Sequence, residues 1–269
     1  MTTPKVEEQE EIKTPTRPNP TRPRISWQKL TCLPLALVVA LLVTLLWFRR
    51  ARLDPVSQDA MARGRVTRAL WQHVELTAIA TVLVLVVAIP LGILLTRATF
   101  RRVTPVALTI ATLGRAAPAL GLLALPALWL GTGRKAVLLG IVVYAVLPVL
   151  ATTIAGLKAN DPALLETARG LGMSPLGVLT RVELPSAVPL ILAGVRMTLV
   201  LNVGTVTLAA LGGGGGLGVL ITTGIAHHSL PLLLLGSILT TALALLVDWG
   251  VSVAELLVAD VLHGGSRGS

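Results

Sequence analysis

Aromatic side chains make up only 3% of this 269-residue chain, charged ones 13%, and there is one cysteine. Each scarcity excludes something. The single thiol, Cys32, rules out a disulfide within the chain and any Cys-rich metal site, and reads as a packing residue at the start of an apolar run. The charged fraction lies well below the roughly 25% of soluble domains, while the hydrophobic content of 54% exceeds their roughly 45–50%. The chain is therefore read as an integral membrane protein. No Gly-x-x-x-x-Gly-Lys-Ser/Thr occurs, so the phosphate cradle and lysine that nucleotide hydrolysis needs are missing. The glycine run Gly212 to Gly216, followed by Leu217-Gly218, is accordingly a tight turn that lets backbones approach closely, not a phosphate loop. His227 and His228 have no Cys partner and lie far in sequence from His73 and His263. Two adjacent imidazoles hold a metal poorly, so they read as exposed loop histidines, and no metal or other cofactor is expected.

Six apolar runs are long enough for roughly 30 Å of hydrocarbon: residues 33–48, 74–95, about 103–130, 136–157, about 187–211 and 232–258. They predict an all-α polytopic fold of about six transmembrane helices. Residues 1–26, rich in Pro, Thr, Glu and Lys, read as a disordered cytoplasmic tail. Residues 27–50 form an extra first helix. It is retained and not cleaved, because Arg49-Arg50-Ala51-Arg52 follows in place of a small-residue cleavage site. An Arg-rich connection at 51–73 leads to the main transmembrane unit at 74–258, and 259–269 is a flexible tail. The net charge of +10 sits in tails and loops flanking apolar runs, which fits membrane orientation and not a nucleic-acid partner.

The longest charged segment between apolar runs carries Glu166-Thr167-Ala168-Arg169-Gly170-Leu171-Gly172 and then Val182-Glu183-Leu184-Pro185. It resembles the E-A-A…G…I-x-L-P cytoplasmic loop of ABC importer permeases. Glu166, Ala168, Gly172, Leu184 and Pro185 match at the family's spacing, with Thr167 and Val182 as mild departures. The resemblance implies a coupling loop over residues 158–186 whose short helix sits in a cleft of an ATPase subunit. Gly172 would close a tightly packed turn where added bulk is not tolerated. Without the resemblance, the segment is an ordinary helix-turn-helix loop punctuated by Gly and Pro.

Further motifs narrow the likeness. Gly114-Arg115-x-x-Pro118, Tyr144-x-x-Leu147-Pro148, Gly156-Leu157-Lys158, Asp161-Pro162 and Asn202-x-Gly204-Thr205 before Gly-Gly-Gly-Leu-Gly together resemble the glycine betaine, carnitine and choline branch of these permeases. That branch implies a type I permease core like that of the methionine importer, in a bacterial cell membrane. It also implies a second permease copy or paralogue, ABC ATPase subunits that hydrolyse ATP, and an extracytoplasmic substrate-binding protein. The permease itself would be a transport subunit and not an enzyme, importing compatible solutes of the betaine, choline, carnitine or proline type. Another amine or amino-acid-like solute is the alternative. Quaternary ammonium ligands are held by aromatic cages, and the spans here supply only Tyr144 and a few Trp near their ends, so selectivity is expected in the binding protein. A secondary transporter would require inverted repeats and a coupling-ion site; no internal duplication is visible and intramembrane carboxylates are few.

With the Glu166 loop cytoplasmic, the loop at 96–104 with Arg97, Arg101 and Arg102 obeys the positive-inside rule, but the Arg-rich segment at 51–73 falls outside. A first helix that is re-entrant or lies on the surface would accommodate this, as would an interfacial helix over 61–72 with its Arg residues on lipid phosphates. Within the spans, ionisable groups are costly and mark function by default. Arg115, Pro118, Tyr144, Arg196, Asn202 and Thr205 are the candidates for the translocation path. Glu75 lies near a helix end and reads as wet, and Asp248 suits a structural partner for an Arg on another helix. Gly114 and Pro118 are expected to break the third span. Asn202 and Thr205 interrupt the fifth, either to line a pore or to lock neighbouring helices together.

Overall fold

Hydrocarbon offers no water to backbone amides, so a chain this apolar must satisfy them within each segment, and the α-helix does so. The structure, a computed structural model, describes residues 55–62, 64–100 and 102–264 and scattered positions between 34 and 50. The tail at 1–26, Cys32, part of the apolar run at 33–48 and the end at 265–269 lie outside the described residues. Among the described residues every regular element is helical: α1 Pro55–Ala62, α2 Arg65–Leu95, α3 Thr104–Ala116, α4 Ala119–Leu130, α5 Arg134–Lys158, α6 Pro162–Gly170, α7 Pro175–Val178, α8 Leu184–Leu208, α9 Gly218–Ala226 and α10 Leu230–Gly264.

Among the described residues four helical stretches are long and apolar enough to cross a membrane, or five if α3 and α4 together count as one broken span. α2 starts at Arg65, earlier than the apolar run at Val74 suggests. The reason is local: Gly64, in the left-handed region at φ 62, separates α1 from α2, and no helix breaker stands between Arg65 and Val74. A separate interfacial helix over 61–72 is therefore not present; residues 65–72 are the first turns of the span. The third run breaks where Gly114 and Pro118 predict, with a 104° bend between its halves. Ala117, immediately before Pro118, is forced into extended geometry at ψ 139, which ends α3. α7, a π-helical turn at Leu179–Glu183, α8 and a 3-10 turn at Ala209–Gly212 run on as one 38-residue stretch from Pro175 to Gly212.

α5 is the central post and packs against α2, α3, α4 and α8. Val84 and Ala88 of α2 interlock with Ala145, Val149 and Ile154 of α5, all fully buried. Small residues set the helix spacing, as expected where lipid is as apolar as the interface. At Gly194 of α8 even a methyl group would collide with the Thr152 side chain of α5. Val82, Val86, Leu113 and Leu128 remain exposed on the outer surface of the bundle, as suits contact with lipid or another apolar chain. Trp71 and Trp129, also exposed, stand near helix ends.

The two faces of the bundle are distinct. One carries the loop with Arg97 and the segment α6 to α7. The other gathers α1, the start of α2 and the glycine turn, where Gly213, Gly215 and Gly216 have φ of 77, 85 and 82. On this second face Arg65 pairs with Asp59 at 2.7 Å, and Glu75 is held by Arg134 at 2.6 Å. Arg65 and Arg68 thus lie opposite the Glu166 loop, with the charge of Arg65 offset by Asp59.

Candidate functional site

The loop between α5 and α8 is built from capping signals. Asp161 Oδ1 accepts from the Ala163 amide at 2.9 Å, and Pro162 occupies the first turn of α6. α6 ends in a reciprocal pair of backbone bonds, Met173 N to Ala168 O at 3.2 Å and Gly172 N to Arg169 O at 2.9 Å, with Gly172 at φ 81. This is the Schellman arrangement, which needs a residue tolerant of the left-handed region at the Gly172 position. Ser174 then caps α7 by accepting from Gly177 N at 3.1 Å. Glu166, Thr167 and Pro185 are exposed, Val182 and Leu184 half-buried, and Ala168 is buried.

One expectation changes here. The Gly172 turn is not crowded, since a Cβ placed there has nothing within 4 Å. Glycine is required by backbone geometry and not by space. The loop also exposes Leu164, Leu171 and Leu176, Leu171 at 80%. Sequence reasoning did not single these out, although apolar residues in an otherwise polar loop were the available signal.

At the base of the loop Glu183 is buried and paired with Arg97 from the end of α2. Asn160 Nδ2 donates to Leu157 O at 3.1 Å and to Glu183 O at 3.2 Å, tying the end of α5 to the start of α8. Both contacts escaped the sequence reading, because residues so far apart in the chain give no periodic signal.

Within the bundle, polar groups collect between α2 and α8. His73, Thr77 and Thr81 lie one turn apart on α2 and are buried. His73 Nδ1 accepts from Leu217 N at 3.2 Å, so Nε2 carries the proton and donates to Val203 O at 3.0 Å. The ring thereby pins the glycine turn and α8 to α2. Asn202 Nδ2 donates to Thr81 Oγ1 at 3.0 Å, and Thr205 Oγ1 donates to Leu201 O at 2.8 Å. Asn202 Oδ1 and Thr198 Oγ1, one turn apart, are buried without a protein partner. His73→Ala removes both ring bonds and opens a cavity, so a stability loss of about 3 kcal/mol is expected. Thermal melting in detergent checks it; an unchanged midpoint would remove the latch.

The remaining candidates are dispersed. Arg196 of α8 grips Asp248 of α10 at 2.8 and 3.0 Å and reaches Glu255 at 3.3 Å. Asp248 is thus the structural partner that the sequence suggested. Pro118 stands exposed at the α3–α4 bend, Tyr144 is half-buried on α5, and the Arg115 side chain lies outside the described residues. A cavity of about 200 Å³ opens on the face of the glycine turn, lined by residues including Arg65, Arg68, Gln72 and Thr223. None of the expected path residues lines it. His227 and His228 are exposed.

Comparison with known proteins agrees with this geometry. The profile of the family described as binding-protein-dependent transport system inner membrane component matches residues 88–256. The choline transport system permease protein OpuBB of Bacillus subtilis is 34% identical over 192 residues, covering 71% of this chain and 88% of that protein. The carnitine transport permease protein OpuCB of Listeria monocytogenes is 35% identical, covering 69% and 84%. The osmoprotectant import permease protein OsmW of Salmonella typhimurium is 35% identical, covering 69% and 88%. A solved inward-facing structure of the MetNI methionine ABC transporter superposes with a TM-score of 0.59 at 22% identity, covering 70% of this chain and 93% of the other.

Proposed function

The chain belongs to the family of binding-protein-dependent transport system inner membrane components, and from that premise we propose that it forms the solute path of an ATP-driven importer of osmoprotectants. Its partners would be ABC ATPase subunits, an extracytoplasmic binding protein and a second permease copy or paralogue. The observation that carries the reading is the loop at 158–186: a doubly capped, rigidly closed helix that presents Glu166 and Thr167 beside exposed Leu164, Leu171 and Leu176. Apolar side chains held on a rigid element at the membrane face suit a cleft in a partner protein. Ala168, Val182, Leu184 and Pro185 shape that element and its junction with α8. ATP hydrolysis is assigned to the partner, since this sequence has no phosphate-binding loop.

The substrate class rests on the names of the relatives: choline, carnitine and osmoprotectant permeases. Arg115, Pro118 and Tyr144 are the proposed path residues around the broken span. Reconstitution tests the whole reading. Uptake of betaine, choline or carnitine into liposomes is expected to require the binding protein and ATP and to stop with vanadate. Uptake that persists without ATP would sink it.

The scarcity of aromatic faces bears on where the solute is recognised. A cation cage requires several rings converging on one point, and Tyr144 alone does not make one. The isolated permease is therefore expected to bind these solutes no better than about millimolar, close to −4 kcal/mol. Calorimetric titration of the purified permease checks this; micromolar binding would place a true site around Tyr144.

A further inference from the structure

We propose that the Arg97–Glu183 pair is a mechanical link that carries movement of the loop at 158–186 into α2, making Arg97 a positioning residue for coupled transport. The inference rests on the importer reading above. The loop is joined covalently to α5 and α8 only. α2 has no covalent connection to it, yet its last turns meet the loop at its base.

The contact has two components of different character. Ile89 and Ile93 of α2 pack on the apolar cluster of Leu157, Ala187 and Ile191, together with Leu179 and Leu184. Apolar contacts of this kind hold the helices together, but the hydrophobic effect behind them has no preferred direction. The ion pair supplies the direction. Arg97 offers both terminal nitrogens to the Glu183 carboxylate, Nη1 to Oε1 at 3.4 Å and Nη2 to Oε2 more closely. Its guanidinium is also held by its own helix end, through Nε to Ile93 O at 3.2 Å and Nη2 to Thr96 Oγ1 at 3.3 Å. A planar fork on a carboxylate fixes distance and orientation together. Glu183 has 7% of its side chain accessible, so little solvent competes for the pair.

Glu183 also sits where movement must pass. It is the last residue of the π-helical turn Leu179–Glu183, and its carbonyl is bonded by Asn160 from the end of α5. A π turn holds one residue more than the α-helix around it and is a place where a helix can shift register. Three helix ends, those of α2, α5 and α8, therefore converge on one residue beneath the loop. Further along α2, Thr81 at mid-helix bonds α8, and His73, nearer the far end, bonds the glycine turn and α8. A push on Glu183 is thus delivered along α2 to the opposite face of the bundle.

The test uses the complete reconstituted complex of permease, ATPase and binding protein, and reads solute imported per ATP hydrolysed. Arg97→Ala is expected to assemble and hydrolyse ATP but to lower that ratio by about tenfold, equivalent to about 1.4 kcal/mol of lost coupling. Arg97→Lys should fall between, since it keeps the charge without the fork. The charge swap Arg97→Glu with Glu183→Arg should restore most of the ratio. A ratio equal to wild type in Arg97→Ala overturns the link, as does loss of uptake in strict proportion to loss of hydrolysis. If Arg97→Ala does not assemble, the swap decides: a folded swap with a low ratio also overturns it. Wild-type uptake that needs no ATP would instead sink the importer reading, and the link with it.

Discussion

Replacing Arg196 with leucine is expected to destabilise the bundle strongly. The guanidinium sits mid-helix and makes a two-bond contact with Asp248 and a further one with Glu255, both on α10. All three side chains are partly exposed, but on the membrane-spanning helices. Where that surface faces lipid or another apolar chain, solvent screens the pair only weakly. An ionised carboxylate left unpaired at a helix centre costs about 2.5–3.5 kcal/mol, and Arg196→Leu strands two carboxylates near one another. A loss of at least about 3 kcal/mol is expected, seen as a large drop in folded protein recovered from the membrane. Removing the charges together, as Arg196→Leu with Asp248→Leu and Glu255→Gln, leaves nothing unpaired and should recover most of the loss. Uptake by that triple variant separates the two roles of Arg196. Recovery of transport along with the fold is expected, because the geometry is that of a closed pair. A well-folded triple variant that still fails to import would return Arg196 to the solute path.

What the sequence made legible follows from how far apart the causes lie. The spans could be read because an apolar run is local, and the break at Pro118 because proline restricts the residue immediately before it. The start of α2 could not, since hydropathy follows apolar content while the helix continues through Arg68 and Gln72 until Gly64 interrupts it. The Glu166 loop was legible as a motif, down to the glycine. Its reason was not: composition does not distinguish a glycine kept for space from one kept for φ. The polar core was harder still. His73 meets partners 130 and 144 residues away, and Arg97 meets Glu183 across 86. Asn202 was read as either a pore residue or a lock between helices. Its bond to Thr81 places it against α2, while the unpaired Oδ1 leaves one polar valence open inside the bundle.

Gly172→Val is expected to abolish coupled uptake, whereas Gly172→Asn should retain most of it. The residue ends α6 at φ 81, and the two bonds that close the turn, from Gly172 N and Met173 N, depend on that angle. A β-branched residue is strained in the left-handed region by roughly 1–3 kcal/mol, while asparagine visits it readily. Taking about 2 kcal/mol, the population of the closed turn would fall by roughly thirtyfold relative to competing geometries. The helix bearing Glu166 and Leu171 would then present its side chains at variable angles, and docking on a rigid cleft would be lost with it. Since a Cβ at this position meets nothing within 4 Å, steric bulk is not the cause, and valine and asparagine add comparable volume to open space. The measurement is retention of the ATPase subunits on the purified permease, followed by uptake in liposomes. Equal loss in both variants would show that size matters and the angle does not. Equal retention would remove Gly172 from the coupling surface altogether.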